Sequence, residues 1–443
     1  MKTKPVIVCV VLLFCLFSSF PLAASVITVD TNSDGAADNS LCQLRDAIIA
    51  ANTDTEVDGC KAGLGADRIE FNGAVSYIVL EADLPEIVDN LEIAGPGRDL
   101  LTIDGDDQYR MLLLSTLVGT FTLRDLTLFQ GSSSDAGGCI RVGAIDVLLI
   151  EDVRIDSCSA TNGAGLYVPG AGDQTITLRR MIFYNNVANS SGGGASLVQT
   201  NCKAVIEDTL FHANRSPIGA GLLLGSSCDL TVSRSTFWGN SGSTYGSAIA
   251  NVSLGAVLRI EHSTISQNSL TGVVGITDGG AIVNGNKLTL LNTVVANNTE
   301  LNPSHNYKDV YNRDSATTVS EGHNFIGSNE GAEADLPEGS EINGDQIGSD
   351  SSPLDPLLGD LMDNGGPTLT SLPDANSLLV DQGSCPGEIS DQRGYGNQVA
   401  GLRPVDVGGV NNQDDGCDIG ATERLGKIVQ QLIHEDGFES PAP

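Results

Sequence analysis

The chain has 443 residues and carries 23 basic against 56 acidic side chains, which gives a formal net charge of −33. A surface this acidic repels nucleic acid and anionic lipid, so we expect neither as a partner. Glycine is abundant at 52 residues, aromatic residues make up only 5%, and helical patterns are few, which favours an extended all-β protein with many turns.

Residues 1–24 are predicted to be an export signal. Lys2 and Lys4 precede an apolar run from Val6 to Phe20, and small residues follow where cleavage would occur. The run is too short to favour a spanning helix, and no later stretch of about 18 apolar residues follows. We therefore expect a monomer without a transmembrane segment, exported to the extracellular space or to the cell surface and outer membrane.

The residues after the signal have the spacing of a calcium-binding loop. The candidate calcium ligands are Asp30, Asn32, Asp34 and Asp38, of which the first three follow the pattern D-x-N-x-D-G. A complete loop has a bidentate glutamate at its twelfth position, and this chain has Leu41 there. We therefore favour a tight structural loop that leads into a helix, and we predict no other cofactor.

An amphipathic helix is predicted directly after this loop, within an N-terminal cap that spans residues 25–65. Ser40 and Gln43 have the spacing of a capping box, in which Ser40 begins the helix and Gln43 reaches back. The apolar stripe of the helix consists of Leu44, Ala47, Ile48 and Ala51. Such a stripe is suited to cover the end of a stack of strands, because uncovered strand edges promote aggregation.

A repeat of about 28 residues is clearest between residues 120 and 300. Seven segments share alternating apolar residues that end in an anchor, namely Leu128, Ile155, Phe183, Phe211, Phe237, Ile265 and Val295. The successive spacings are 27, 28, 28, 26, 28 and 30 residues, and such a period is typical of a solenoid. Propeller blades need about 40 residues, and the regular frame of leucine-rich repeats is missing.

Two further features recur once per repeat. Three residues after the anchor, the last five repeats have Asn186, Asn214, Asn240, Asn268 and Asn298, which would stack and hydrogen-bond along the stack. Asparagine also tolerates the left-handed backbone that we expect at these corners. Small residues such as Gly192-Gly193 follow and allow a sharp turn. Two or three short strands per repeat would form a parallel β-helix over residues 66–327.

Paired charges occupy equivalent positions in successive repeats, namely Glu151, Asp152, Arg179, Arg180, Glu207, Asp208, Arg234, Glu261 and His262. We interpret this charged strip as a solvated face of both signs, and a sugar-processing groove is the alternative. The histidines are interpreted as surface or loop residues, namely His212, His262, His305 and His323.

Eight cysteines remain outside the signal, namely Cys42, Cys60, Cys139, Cys158, Cys202, Cys228, Cys385 and Cys417. An even number in an exported chain predicts disulfides, although eight cysteines allow about 105 connectivities. We favour pairs of neighbours in sequence, because each then closes a loop within one structural segment. No Cys-x-x-Cys cluster occurs with a histidine, so a zinc site is not expected.

The C-terminal part is predicted to be rich in loops. Residues 328–425 contain many Gly, Pro and Asp residues and have little periodicity, so we expect loops and short strands packed on the last coil and linked by Cys385 and Cys417. The tail at 426–443 contains no hydrophobic anchor segment.

The repeat motifs resemble those of an exported bacterial family. FYNN, FHAN and FWGN, together with GGAIV at 279–283, are similar to the repeats of polymorphic outer membrane proteins, which are surface β-helices associated with adhesion. This resemblance and the usual crossover rule imply a right-handed β-helix.

The segments on either side of the repeats also resemble modules of exported bacterial proteins. CQLRDAIIAAN at 42–52 is similar to the C-S-L-R-E-A-I motif, with Gln43 and Asp46 as departures. SSPLDPLLGDLMDNGGPTLTSLPDANSLLVDQG at 351–383, DQRG and CDIGATE are similar to the choice-of-anchor Q module, in which Thr422 departs from the usual residue. The resemblance assigns residues 328–425 to that module.

Parallel β-helices also carry polysaccharide lyases and glycoside hydrolases, so an enzyme acting on an extracellular polysaccharide is the alternative function. A lyase needs a basic residue beside a calcium-binding carboxylate cluster, and a hydrolase needs two carboxylates across the scissile bond. The combined pectinase-like signature of N-x-D, paired Asp, G-H-G and R-I-K is not found. We therefore predict a secreted or cell-surface protein with a non-catalytic binding or adhesion role, toward an extracellular glycan or a surface protein, and we assign no catalytic residue.

Overall fold

A computed structural model describes residues 25–35, 40–115, 118–170, 172–272, 279–301, 308–339, 342–385, 390–394 and 417–424. The predicted signal, Asp38, His305 and the tail at 426–443 lie outside these ranges. No helix in the described part of the chain is long and apolar enough to cross a membrane.

The chain winds into coils whose strands stack in parallel. Thr175–Arg179 pairs in register with Lys203–Glu207, so that residues one repeat apart lie next to each other. A full coil contains four short strands, for example Thr175–Arg179, Ile182–Tyr184, Val187–Ser191 and Ala195–Leu197. We expected two or three strands. The polar strand Val187–Ser191, with the sequence VANSS, lacks the apolar alternation that would have indicated it.

The strands form four faces, which we number in the order in which the chain visits them. The first face contains Val26–Val29, Asp67–Phe71, Leu91–Ala94, Thr175–Arg179, Lys203–Glu207, Asp229–Ser233, Val257–Glu261, Lys287–Leu291 and Thr317–Ser320. The second face contains Tyr77–Val79, Thr102–Asp104, Ile182–Tyr184, Leu210–His212, Thr236–Trp238, Thr264–Ser266, Val294–Ala296, Phe325–Ile326 and Gln346–Ile347. Thr120–Phe129 and Val147–Asp156 run through both faces and bend at Asp125 and Asp152, whose φ angles are 61° and 54°.

The other two faces are narrower. The third face contains Ser159–Asn162, Val187–Ser191, Arg215–Ile218, Ser241–Tyr245, Ser269–Leu270 and Thr299–Glu300. The fourth face contains Leu112–Leu113, Ile140–Arg141, Leu166–Val168, Ala195–Leu197, Leu222–Leu224, Ile249–Asn251, Ile282–Asn284 and Val310–Asn312. The described helices are the α-helix Leu44–Thr53 and the short 3-10 helix Ile342–Gly344.

The hydrophobic core lies inside the coils and is built from the residues that alternate inward. The seven predicted anchors pair in register and are completely buried, namely Leu128, Ile155, Phe183, Phe211, Phe237, Ile265 and Val295. The ring centroids of Phe183 and Phe211 are 4.6 Å apart, and those of Phe211 and Phe237 are 4.5 Å apart. Burial of each anchor contributes about 1.5–3 kcal/mol to stability.

The five asparagines lie in one buried ladder. Each side-chain Nδ2 donates to the Oδ1 of the next asparagine, at 2.9 Å for Asn186, Asn214 and Asn240 and at 3.0 Å for Asn268. Each Nδ2 also donates to the carbonyl oxygen of the anchor in the preceding coil, for example from Asn240 to Phe211 at 2.9 Å. The ladder thus satisfies polar groups that the corner of each coil would otherwise bury without partners.

The left-handed backbone falls one residue before each ladder asparagine, so its predicted position is wrong. Asn185 and Asn297, for example, have φ angles of 54° and 60°, whereas none of the ladder asparagines has a positive φ. Asn185 is exposed and Asn186 is buried. The corner therefore turns at an exposed or half-buried residue, and the next side chain enters the core.

Replacing Asn240 with alanine tests the ladder at its middle. The change removes the acceptor for the N–H and Nδ2 groups of Asn214 and the donor to Phe211 O. Because buried groups without partners cost about 1–3 kcal/mol each, we expect the free energy of unfolding to fall by about 2–4 kcal/mol in urea denaturation followed by circular dichroism.

Asn185→Gly is the matched control, because Asn185 is exposed and its φ of 54° suits glycine. We expect it to change the free energy of unfolding by less than about 0.5 kcal/mol. Equal losses in the two variants would show that the ladder has no special role.

The ladder ends at the buried carboxylate of Asp309. Asn298 Nδ2 donates to Asp309 Oδ1 at 2.9 Å, and the Ser328 N–H donates to Asp309 Oδ2 at 2.7 Å. These hydrogen bonds favour the charged form, but complete burial outweighs them and raises the pKa of Asp309 to about 7. The folded protein therefore keeps a proton at pH values where the unfolded chain has lost it.

The free energy of unfolding should therefore fall as the pH rises from about 4 to about 7. Below this window Asp309 is protonated in both states. Above it the carboxylate is charged in both states, and the free energy of unfolding falls no further. The limits of the window follow from the pKa of Asp309, which is 3.8 in the unfolded chain and about 7 in the folded protein. The expected loss is roughly 4 kcal/mol, at 1.36 kcal/mol per pKa unit.

Asp309→Asn should remove this contribution to the pH dependence, while other buried carboxyl groups with a raised pKa, such as Asp418, keep theirs. Asp229→Asn is the matched control because it removes a negative charge from an exposed position. The slopes are measured by urea denaturation at about 0.5 M salt, which screens repulsion between surface charges. If both variants keep the wild-type slope, Asp309 is not its source.

The helix Leu44–Thr53 covers the N-terminal end of the coils, as its apolar stripe predicts. Leu44, Ala47, Ile48 and Ala51 are buried. The predicted capping box is wrong, because Gln43 is the N-cap residue and its side chain makes no capping hydrogen bond. Ser40 instead has a φ of 61° and donates its backbone N–H to Asp58 Oδ1 at 3.0 Å, so the turn before the helix is held by Asp58.

We call residues 342–385, 390–394 and 417–424 the C-terminal segment. Its strand Gln346–Ile347 belongs to the second face, and most of the rest lies along the outer side of that face. A separate apolar cluster joins Val294, Ala296 and Phe325 of that face to Leu379 and Ile419 of the segment. Further along the face, Thr236 Oγ1 donates to Gln392 Oε1 at 2.6 Å, and the Ala421 N–H donates to Thr264 Oγ1 at 3.0 Å. Parallel pairing also extends past residue 327, since Gln346–Ile347 pairs with Phe325–Ile326.

Candidate functional site

An open groove lies beside the second face, where one edge of the C-terminal segment reaches it. The groove has a volume of about 520 Å³. Its floor is formed by Arg154, Ile182, Tyr184, Leu210 and His212 of the β-helix. Residues of the C-terminal segment between Asp363 and Leu369, together with Arg98 and Asp99, complete the lining.

Arg98 connects the wall of the groove to the coils. Its Nη1 donates to Arg180 O at 2.9 Å, and its Nη2 donates to Pro367 O at 2.5 Å. Burial lowers the pKa of Arg98, but the guanidinium group remains charged at neutral pH because its ordinary pKa is so high. Arg98 therefore positions the edge of the C-terminal segment and brings a positive charge to the groove.

Aromatic side chains form a row across the floor. Tyr184, His212 and Trp238 occupy equivalent positions in three successive coils, and the rings of Tyr184 and His212 are 5.3 Å apart. The guanidinium group of Arg154 lies 5.1 Å from the Tyr184 ring centroid, and Asp156 Oδ2 accepts from its Nε and Nη2 at 2.8 and 2.6 Å. His212 Nδ1 hydrogen-bonds with Trp238 O at 2.9 Å. The floor is thus a pre-oriented surface of aromatic rings and planar polar groups.

None of these groove residues except His212 was singled out from the sequence. The available signal was an aromatic residue directly after three anchors, in Phe183-Tyr184, Phe211-His212 and Phe237-Trp238. Since alternate residues of a strand point to opposite sides, each of these second residues faces outward. Arg98 precedes the repeats and gave no comparable signal.

The charged strip is paired within itself. Arg180 Nε donates to both carboxylate oxygens of Asp152 at 2.9 Å, and Arg180 Nη2 lies 3.2 Å from Glu151 Oε2. Arg234 Nε donates to Asp208 Oδ1 at 2.8 Å. Each ion pair joins two successive coils, so the strip is a structural feature of a partly solvated face and its charges neutralise one another.

The side chains of the D-x-N-x-D-G loop attach it to the coils. Asn32 Oδ1 accepts the Ser76 N–H at 3.0 Å, and Asp34 Oδ2 accepts from Arg45 Nη2 at 2.7 Å and from the Glu81 N–H at 2.9 Å. Asp34 Oδ1 is buried and has no hydrogen-bond partner among the residues that the structure describes. Asp30 is exposed, and Asp38 lies outside the described residues. These contacts support the structural interpretation of the loop.

The four disulfides join neighbours in sequence, namely Cys42 to Cys60, Cys139 to Cys158, Cys202 to Cys228, and Cys385 to Cys417.

The disulfide between Cys385 and Cys417 lies beside His262. The ligand atoms of His262, Cys385 and Cys417 are all within 4.8 Å of one another. His262 lies in the bend between Val257–Glu261 and Thr264–Ser266, as expected of a loop residue, but it is only 8% exposed and is therefore not a surface residue. It occupies a corner that the C-terminal segment covers, 123 residues away from Cys385 in sequence.

The sequence model of a family described as "Right handed beta helix region" matches residues 138–329, and the coils are right-handed, as expected. A search of curated proteins and a search of solved structures each found no match. The resemblances of the repeats to polymorphic outer membrane proteins, and of the two flanking segments to exported modules, stay predictions.

The two interpretations of the D-x-N-x-D-G loop can be tested with two variants. In the ion-binding interpretation Asp30 is a ligand, whereas in the structural interpretation the loop is held by Asp34 and Asp30 has no special role. We expect Asp34→Ala to lower the free energy of unfolding by about 2–4 kcal/mol, because it removes the carboxylate that pairs with Arg45 and leaves the Glu81 N–H without its acceptor. Asp30→Ala, at an exposed position, should change it by less than about 0.5 kcal/mol.

Thermal unfolding with excess calcium and with a chelator completes this test. We expect the same unfolding midpoint in both. A higher midpoint in calcium that Asp30→Ala abolishes would show that the loop binds the ion.

Proposed function

We propose that this protein is a secreted or cell-surface binding protein that holds an extracellular glycan in the groove between the second face and the C-terminal segment. The observation that carries this proposal is the floor of the groove, where Tyr184 and His212 lie side by side next to Arg154. Such a combination of apolar rings with a few oriented polar groups is typical of small-molecule and sugar sites.

The composition of the groove favours a neutral glycan. Ile182, Tyr184 and Leu210 offer apolar surface to the C–H faces of sugar rings, while Arg154 and Asp363 offer donors and acceptors to hydroxyl groups. The lining of the groove contains positively and negatively charged side chains. The net charge of −33 on the whole chain opposes the approach of polyanions. An acidic polysaccharide is therefore a less suitable ligand.

The charged strip is a less suitable binding surface than the groove. Its arginines already donate to carboxylates of neighbouring coils, as Arg180 does to Asp152 and Arg234 does to Asp208. A ligand would have to displace these ion pairs. The adhesion role that we propose therefore rests on the groove.

A polysaccharide lyase or glycoside hydrolase is the alternative, and the same groove would hold its substrate. Asp363 lines the groove, and Asp156 lies beside Arg154. Asp156 accepts two hydrogen bonds from the Arg154 guanidinium group, which suits the positioning of Arg154 better than the role of a general base. We therefore place binding ahead of catalysis.

A glycan array that includes neutral, acidic and amino-sugar chains would identify the ligand, and isothermal titration calorimetry would measure its affinity. We expect Tyr184→Ala to weaken binding of a neutral glycan at least about tenfold, because a buried aromatic contact is worth more than about 1 kcal/mol. Tyr167→Ala is the matched control. Tyr167 also lies under an arginine, with Arg141 at 5.8 Å, but belongs to the fourth face, so the affinity should not change.

Two outcomes would contradict the proposal. The first is equal weakening by the two tyrosine variants, and the second is the absence of any glycan binding. Each array ligand is also incubated with the protein and assayed for new reducing ends and for unsaturated-uronate absorbance. A positive assay that Tyr184→Ala reduces would establish the enzymatic alternative in place of simple binding.

A further inference from the structure

We propose that reduction of the Cys385–Cys417 disulfide creates a binding site for one Zn²⁺ ion, with His262 and the two cysteine thiolates as its ligands from the protein. These residues come from one coil and from the C-terminal segment, and they share no residue with the lining of the groove. The site is therefore independent of the proposed glycan binding.

The lone pairs of three side chains converge on one point. A ring nitrogen of His262 and the Sγ atoms of Cys385 and Cys417 lie within 4.8 Å of one another, and all three residues are buried. His262 Nδ1 is 3.7 Å from Cys385 Sγ. Asn292 Nδ2 is 3.0 Å from His262 Nδ1, 3.6 Å from Cys417 Sγ and 3.9 Å from Cys385 Sγ. An amide nitrogen only donates, so Nδ1 is the unprotonated nitrogen of the imidazole ring, and the metal ion would take the place of the Asn292 amide group as the partner of its lone pair.

The chemical types of the three ligands favour zinc. Two sulfur ligands and one imidazole nitrogen suit Zn²⁺, which also occurs with three protein ligands and a water molecule in the fourth position, whereas Ca²⁺ and Mg²⁺ prefer ligand sets made of oxygen alone. Glu423 lies beside the cluster, with its Oε1 3.3 Å from Cys417 Sγ, and its Oε2 accepts the Asp418 N–H at 2.7 Å. Its negative charge would favour a cation in the neighbouring site.

The site depends on the redox state of the two cysteines. A dithiol reductant gives two electrons and two protons to the disulfide, which breaks the S–S bond, and the reductant becomes a cyclic disulfide. Zn²⁺ then replaces one proton on each cysteine thiol, so that binding releases two protons. In the oxidised protein the sulfur atoms are bonded to each other and no thiolate exists to ligate the metal.

The zinc site was not expected from the sequence because its ligands are not clustered there. His262 is 123 residues from Cys385 in sequence, and 32 more residues separate Cys385 from Cys417. Only the contact of the C-terminal segment with the coil brings them together. A search for ligands at short spacing cannot detect such a site.

Cobalt binding to the full protein tests the proposal. The protein is reduced with dithiothreitol under nitrogen, desalted and titrated with Co²⁺, whose thiolate charge-transfer absorption reports Co–S bonds. Zn²⁺ competition then gives the affinity. We expect one metal equivalent in the reduced wild type, no charge-transfer band in the oxidised protein, and a loss of affinity of more than about tenfold in His262→Gln.

The controls distinguish this site from the other three cysteine pairs. A variant with Cys202→Ser and Cys228→Ser should bind Co²⁺ as the wild type does, and a variant with Cys385→Ser and Cys417→Ser should lose the band. Equal binding by the wild type, by His262→Gln and by the latter double variant would overturn the proposal. So would a reduced wild type that binds no metal or that loses its β-sheet circular dichroism, because the site requires folded coils.

Discussion

In-register stacking of parallel coils is the constraint on which the rest of this structure depends. Neighbouring strands lie about 4.8 Å apart, so each outward or inward side chain contacts the equivalent side chains of the coils before and after it. A residue type is therefore suitable only if it can interact with its own kind or with a complementary neighbour. Phenylalanine can stack on itself, and the amide of asparagine can both donate and accept. The asparagine ladder thus needs only an acceptor at its last member, and the carboxylate of Asp309 provides it.

A single type of charge cannot stack on itself in the same way, because like charges at this distance repel one another. From Asp152 onward the corner row of the first face alternates in sign, in the order Asp152, Arg180, Asp208 and Arg234. Asp125 precedes Asp152 in this row with the same charge and is paired with its own neighbour Arg124 at 2.6 Å. The row then continues with His262, Asn292 and His323, where the C-terminal segment covers it. Asn292 Nδ2 donates to Asp418 O at 3.1 Å, and His323 Nδ1 hydrogen-bonds with Gln382 O at 2.8 Å. The row thus carries aspartate and arginine where solvent reaches it, and histidine and asparagine where the C-terminal segment covers it, since burying an ion costs more than burying an amide.

Features that recur once per coil could be predicted from the sequence, because every coil repeats the same requirement. The anchors such as Phe211 and the ladder positions such as Asn214 were identified in this way. Features that depend on a single local pattern were less predictable. The capping-box spacing at Ser40 was satisfied in sequence, but a hydrogen bond to Asp58 holds that residue in a turn, and the helix begins only at Leu44. A contact distant in sequence had replaced the local one.

The C-terminal segment could not be predicted because most of it lies on a surface that the coils already provide, rather than pairing as a strand. Its contacts join residues far apart, for example Thr236 and Gln392, which are 156 positions apart, and they leave no periodic signal. Yet this segment decides which parts of the repeating surface become sites. His212 and His262 were both interpreted from the sequence as surface or loop residues. One lines an open groove at the edge of the segment, and the other is buried beneath it against Cys385. The coils supply rows of equivalent side chains, and the path of the C-terminal segment gives individual members of those rows different chemistry.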